Sequence, residues 1–347
     1  MQKNNFDLLR LLAAFQVLLA HSTYHLFAEQ GYPLNTDIVI FQKIIHYMPG
    51  VPIFFLISGF LIAMSYEKNS NLREYAKNRI LRIYPALYIN IFLGICILYW
   101  FGYVTVNSQF FIWLWAQMSI VQFYNAEMFR GFGVGVINGS LWTISIELTF
   151  YILLPILVLF YKKSKSLIVV FFVISLAVWL YDLTSVKEIF YNKFLHVTII
   201  PYLFLFIIGM GFYKFYNALA KYIQGTFLWW LLIYAVFAGI IEFFDITSNS
   251  VVVLVQWGVF SFFIFSFAFS FQNLSKQLLR GNDYTYGVYI YHMLIINIFV
   301  QLKLVGQMEY LGYVILLSLA SGMISWHFIE KPFLKLKKHS LFKEMHR

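Results

Sequence analysis

Eleven stretches of this chain stay apolar for about as long as a helix needs to cross a bilayer, and no other feature narrows its fold so far. A hydrocarbon core of ~30 Å takes about 20 residues of helix at 1.5 Å each. The stretches lie near 6–27, 48–66, 83–103, 109–124, 140–160, 167–181, 196–216, 226–244, 251–271, 286–302 and 310–329. They are continuous runs, not alternating strands of ~10 residues, so a transmembrane β-barrel is excluded. Composition agrees. Hydrophobic residues make up 61% of the 347, charged residues only 12%, and the mean hydropathy is +0.74. A soluble protein of this size carries far more surface charge.

The positive charges set the expected topology. Basic residues gather at Lys68, Arg73, Lys77, Arg79 and Arg82, at Lys162, Lys163 and Lys165, at Lys214 and Lys221, at Lys276 and Arg280, and from Lys331 to Arg347. If 109–124 does not cross, all of these share one side with Lys3 and Arg10, which collects twenty of the twenty-five Lys and Arg residues. Lys and Arg mark the cytoplasmic side. The expectation is an all-α, polytopic membrane helix bundle of ten spans with both termini cytoplasmic. Segment 109–124 and the glycine-rich Arg130–Gly139 then form an outer or re-entrant excursion, which borders a cavity or is a plain outer loop. The net charge of +10 reads as this topology signal, not as a nucleic-acid surface. Cys96 is alone, so neither an internal disulfide nor a multi-thiolate metal site is expected. Arg10 interrupts the first apolar stretch and no small-residue cleavage site follows, so that stretch reads as a retained span. No linker or repeat divides the chain, which reads as one integral domain over 1–347 without an appended soluble domain.

Ionisable residues inside spans are costly and are therefore candidates for function. The first span holds Arg10, His21 and His25. His21 lies about 16 Å along the helix from Arg10, and His21 and His25, four apart, share a face. Glu147 falls about 10 Å below the outer boundary and His21 about 8 Å below it, so the two lie at similar depth. A carboxylate beside an imidazole would fix its tautomer and make a general base; the plain alternative is two polar groups satisfying each other. Arg79 and Arg82, three apart and with Lys77 nearby, suit phosphate by their planar donors, although anionic headgroups would be served equally. They lead into Tyr84 and Pro85, read as the first turn of the next helix. His292 sits about 9 Å inside a late span. Glu330 ends the last one, and Ser58-Gly59 interrupts the second, as simple close packing also would. No nucleophile elbow, zinc motif or P-loop appears. On the residues alone, a transferase and a proton-coupled carrier both remain open.

The motifs, in order, resemble the acyltransferase 3 family of integral membrane acyltransferases. Arg10 and His21, preceded by Asp7, match its opening Arg and His separated by ten residues. Phe54-Phe-Leu-Ile-Ser-Gly-Phe60 is similar to its second-span signature, and Arg79-Ile-Leu-Arg-Ile-Tyr-Pro85 to its basic motif. Ser140-Leu-Trp-Thr-Ile-Ser-Ile-Glu147, Tyr286-Gly-Val-Tyr-Ile-Tyr-His292 and Trp326-His-Phe-Ile-Glu-Lys-Pro332 resemble its later blocks.

The resemblance implies transfer of an acyl group, usually acetyl from acetyl-CoA, to a sugar hydroxyl of a cell-surface or lipid-linked polysaccharide. The setting would be the bacterial cytoplasmic membrane, with no metal and no nucleic acid involved. It carries over Arg10 and His21 as the residues the family depends on, with Glu147, Arg79 and Arg82 as site members; joined to the residue reading, His21, Glu147 and Arg10 are expected to be catalytic and Arg79, Arg82 and Lys77 to hold the CoA phosphates. Ser58, Tyr84, Trp142, His292 and Glu330 are supporting residues. The contrasting expectation is a proton-coupled carrier or flippase of a lipid-linked glycan. Acceptor sugar, leaflet and oligomeric state stay open.

Overall fold

The computed structural model describes residues 4–32, 36–68, 71–184, 195–246 and 249–336. The basic residues Lys3, Lys187, Lys193, Lys337, Lys338, Lys343 and Arg347 lie outside them. In chain order the helices are α1 (Phe6–Thr23), α2 (Thr36–His46), α3 (Gly50–Lys68), α4 (Leu72–Trp100), α5 (Ser108–Met118), α6 (Trp142–Lys163) and α7 (Lys165–Thr184). They continue with α8 (Leu203–Lys214), α9 (Tyr216–Ile223), α10 (Phe227–Phe244), α11 (Ser250–Phe269), α12 (Leu274–Leu279), α13 (Thr285–Gln301) and α14 (Met308–Ser325). Short π-helical turns follow α1, at Tyr24–Ala28, and α14, at Trp326–Glu330. No strand forms among the described residues. The chain is an all-α polytopic membrane protein.

Among the described residues seven helical stretches are long and apolar enough to span, or eight if α8 and α9, bent by 94°, count as one. Two of the ten expected spans, at 167–181 and 286–302, fold as α7 and α13, which stay below that length or hydropathy. Helix α5 has 11 residues, about 16 Å, and is too short to cross. The third span begins earlier than expected. Helix α4 runs unbroken for 29 residues, so Arg73, Lys77, Arg79 and Arg82 sit on the helix itself and Pro85 lies in its interior. Asn71 sets this start, its side chain accepting from the amides of Arg73 (3.0 Å) and Glu74 (3.3 Å). The sequence had also shown no sign of α2, which precedes the second span.

The chain divides into two compact units. The first comprises residues 1–13, 51–68 and 149–281. Its core is aromatic. Phe6 packs on Phe60 and Phe269 at 5.1 and 5.4 Å between ring centroids, and Phe206 stacks on Phe150 at 3.8 Å and Phe55 at 4.9 Å. Helices α3 and α8 cross on glycine. A Cβ at Gly59 would lie 2.2 Å from the Phe206 carbonyl oxygen, and one at Gly209 would lie 2.1 Å from that of Leu56. This is the close packing that Ser58-Gly59 suggested. Buried Asn5 fastens the start of the chain: its amide donates to Ala268 O (2.8 Å) and its Oδ1 accepts from Ser275 N (2.9 Å).

The second unit comprises residues 14–50, 69–148 and 282–347, and α13 is its interior helix. Thirteen of the seventeen α13 residues are buried, polar ones included. Their polar groups reach neighbouring backbone. Tyr286 donates to Ile83 O (3.1 Å) and Tyr291 to Ala86 O (3.4 Å), both on α4, while Tyr289 pairs with Thr143 Oγ1 (2.7 Å) on α6. Asn297 reads the glycine-rich loop. Its Oδ1 accepts from Val134 N (2.8 Å), and its Nδ2 donates to Val136 O (3.0 Å) and Ile137 O (2.9 Å). Gln301 accepts from Gly133 N (2.9 Å), and Asn138 donates to Asn90 Oδ1 and Ile290 O. Residues 131–138 are thus pinned to α13.

Gly133 has φ +54°, and a Cβ there would meet Asn297 Oδ1 at 2.0 Å. Gly133→Ala should therefore cost stability by about 1–3 kcal/mol of backbone strain plus the displaced Asn297 bonds. Gly211→Ala, where nothing lies within 4 Å, should cost nothing comparable. Thermal unfolding of the two purified variants in detergent checks the contrast.

Candidate active site

Three imidazoles converge in the second unit. His21 lies in the last turn of α1 and is half-buried; His292 lies mid-way along α13 and is fully buried. His21 Nδ1 is 3.0 Å from His292 Nε2, and His292 Nδ1 is 2.6 Å from the Tyr289 carbonyl oxygen. Hydrogen-bond chemistry orders the protons. A carbonyl only accepts, so His292 Nδ1 carries its proton, and the Nε2 of neutral His292 is then an acceptor. His21 must donate from Nδ1. Its own Nε2 is left with the lone pair, and no described residue bonds it. The chain Tyr289 carbonyl, His292, His21 therefore holds a basic nitrogen in one tautomer.

The third imidazole, His25, has its ring centroid 5.9 Å from that of His21. Its Nδ1 lies 2.7 Å from Glu29 Oε2. Glu147, one turn into α6 and half-buried, acts electrostatically on Tyr289, the residue whose carbonyl anchors His292. Trp142 opens the same helix and is also half-buried.

A second cluster surrounds the basic motif of α4. Arg82 Nη2 bonds Asp283 Oδ2 at 2.8 Å, with the two side chains 25% and 11% exposed. Glu330, buried, accepts from Ser325 Oγ at 2.8 Å and lies within electrostatic reach of Arg82 and Asp283. Asn282 accepts from Trp326 Nε1 (2.9 Å) and Lys331 Nζ (3.3 Å), holding the π-helical turn that carries Glu330. The Arg79 guanidinium lies over the Tyr75 ring at 5.4 Å, Lys77 is exposed, and Tyr84 donates to Ser119 O at 3.4 Å.

Of the residues singled out from the sequence, the second unit contains His21, Glu147, Lys77, Arg79, Arg82, Tyr84, Trp142, His292 and Glu330. Arg10 and Ser58 belong to the first, where Arg10 is ion-paired with Asp7 one turn away. The sequence did not single out Glu29, Asp283, Tyr289 or Asn297. Glu29 had a local signal, its spacing of four from His25, and Tyr289 lay within the quoted block Tyr286–His292. Asp283 is 201 residues from Arg82 and had none.

Fold and site together define an integral membrane protein with an imidazole prepared for proton or acyl chemistry. A family model described as an acyltransferase domain matches residues 3–328, and the chain belongs to that family. It is 33% identical to nodulation protein 10 of Rhizobium leguminosarum bv. viciae, over 96% of this chain and 94% of that protein. It is 25% identical to an O-acetyl transferase of Shigella phage Sf6, over 96% and 97%. A shorter match, 29% identical over 33% of this chain and 20% of the other, is to a peptidoglycan O-acetyltransferase of Listeria monocytogenes. No solved structure matches significantly. The enzyme is a membrane O-acyltransferase.

Asp283→Asn leaves the partly buried Arg82 without its carboxylate. A stability loss of about 1–3 kcal/mol is expected, less than for a fully buried pair because Arg82 retains some solvent. Adding Arg82→Met should cost less than the two single changes summed. A double-mutant cycle on the thermal midpoint measures this.

Proposed function

We propose that the enzyme moves an acetyl group from acetyl-CoA to a sugar hydroxyl of a cell-surface or lipid-linked polysaccharide, in the bacterial cytoplasmic membrane. The observation that carries this reading is the fixed tautomer of His21, which leaves Nε2 unprotonated. An unprotonated imidazole nitrogen serves acyl transfer in one of two ways: it takes the hydroxyl proton, worth about 10²–10⁴ in rate, or it carries the acyl group between two steps. Both need the same lone pair. The names of the phage and Listeria relatives support acetyl as the group and a glycan as the acceptor. The family match over 3–328 supports treating both compact units as one functional domain.

In this reading Arg79, Arg82 and Lys77 hold the CoA phosphates on the basic, cytoplasmic side. Arg82 is also paired with Asp283, which orients its guanidinium. Arg10 keeps the catalytic role that the family's opening motif gives it. Glu147 lies within electrostatic reach of the Tyr289 hydroxyl, on the same helix as His292, and Glu330 and Tyr84 shape the basic mouth.

The test is mass spectrometry of surface glycans from cells with the gene, without it, and with His21→Ala. An alkali-labile mass gain of one acetyl, present with the gene and absent in both others, is expected. An unchanged glycan with altered export would mean a carrier and would withdraw these roles. Two quantitative outcomes accompany it. His292→Ala, which frees the His21 tautomer, should lower the ester content by about 10²-fold. Arg79→Ala should raise the apparent KM for acetyl-CoA about tenfold, the loss of one charge-assisted hydrogen bond.

A further inference from the structure

His25 and Glu29 have no part in the reading above, yet they form a catalytic type of pair beside the site. Glu29 is a carboxylate and only accepts, so the proton of the 2.7 Å bond sits on His25 Nδ1, and in the neutral ring it is Nε2 that carries the lone pair. No described residue bonds that nitrogen either. Two imidazoles therefore stand side by side, each with Nδ1 committed and with Nε2 as the basic nitrogen of its neutral ring. What stands behind each differs. His21 has the neutral His292 behind it; His25 has a carboxylate, which stabilises an imidazolium.

The backbone is shaped for this. His25 lies in the π-helical turn Tyr24–Ala28, closed by the bond from Glu29 N to Tyr24 O (2.9 Å). Closure over five residues widens the turn, so side chains four apart stand more nearly above one another than on an α-helix. The turn is also held from outside: Gly306 N donates to Leu26 O at 2.9 Å. His25 and Glu29 keep 15% and 34% side-chain exposure, so a substrate hydroxyl can reach them. The other groups at the His25 ring are Tyr24, 5.1 Å between centroids, and His21.

We propose that the two imidazoles divide a two-step transfer, with His21 carrying the acyl group and His25, backed by Glu29, acting as the base for the acceptor. The proposal rests on the acyl-transfer reading above and chooses between its two routes. In the first step His21 Nε2 bonds the thioester carbonyl carbon. The carbon–sulfur bond breaks, its electron pair leaves with the CoA thiolate, and His292 Nε2 takes the Nδ1 proton from His21. In the second step the acceptor hydroxyl gives its proton to His25 Nε2 and its oxygen bonds the acyl carbon. The carbon–nitrogen bond breaks and its pair returns to His21 Nε2, while His292 returns the proton to Nδ1. The proton on His25 neutralises the thiolate by way of solvent, so the sum is alcohol plus thioester giving ester plus thiol.

The experiment uses the full chain in lipid nanodiscs with acetyl-CoA alone, read by thiol release and by acid-quenched intact mass. Ester on the glycans of cells making the same variants is measured in parallel. Glu29→Gln, which changes one atom, and His25→Ala should each lower glycan ester about 10²-fold. With acetyl-CoA alone both should still show a burst of about one thiol per chain and hold acetyl on the protein as wild type does, because only the second step, which needs the acceptor, is lost. His21→Ala should show neither burst nor adduct. External imidazole should restore transfer to His25→Ala. If Glu29→Gln and His25→Ala keep wild-type ester levels, His25–Glu29 is only a helix-surface pair and the proposal is overturned. Lost transfer without adduct or burst overturns it equally. Transfer retained in His21→Ala would instead overturn the reading on which it rests.

Discussion

A buried donor or acceptor left without a partner is costly, so the place of each buried polar group in the second unit is decided by the partner it finds in protein. Helix α13 is where this constraint concentrates. It is buried along most of its length and still carries Tyr286, Tyr289, Tyr291, His292 and Asn297. Each of these hydroxyl, imidazole and amide groups ends on a group of α4, α6, α1 or the glycine-rich loop. Removing one partner leaves its mate dehydrated and unpaired, a larger loss than the bond itself is worth. The imidazole chain is one branch of this network. Its tautomer is set by the Tyr289 carbonyl, a backbone group that cannot change with protonation. The chemistry at His21 thus depends on helix geometry as much as on side chains.

Much of this could be read from the order of residues. Long apolar runs announce helices because hydrocarbon thickness sets their length, and Lys and Arg sort sides by charge. His21 and His292 stood out because a polar residue in an apolar run has few explanations, and Arg82 by its spacing of three from Arg79 in a basic cluster. Other features were not legible, and the causes are physical. The start of α4 was placed late because its first turns are polar and the helix continues past the apolar run; the cap at Asn71 was the available local sign. Helix α2 carries no span-like pattern of its own. Partner choice across the fold was hidden altogether. The sequence offered Glu147 as the partner of His21, whereas the structure places His292 at its Nδ1 and Asp283 at Arg82. Such pairings join residues hundreds of positions apart, and no periodicity reports them.

The two π-helical turns occupy comparable places, each ending a long helix and each carrying an ionisable side chain. Widened turns of this kind recur at functional sites because they redirect side chains that regular α geometry would aim elsewhere. Here one lines up His25 with Glu29 and the other carries Glu330, the bond partner of Ser325.

The loop at 131–138 has a further consequence, for inheritance. Asn297 and Gln301 recognise it by the amides of Gly133 and Val134 and the carbonyls of Val136 and Ile137, all of them backbone groups. A lock that reads only main chain is indifferent to most side chains but not to spacing. Away from Gly133 and Asn138, descendants of this gene are free to change what the loop displays. Adding or deleting a single residue would shift all four groups out of reach together. Variation in this segment is therefore confined to spelling at fixed length, and a new loop length requires a new α13.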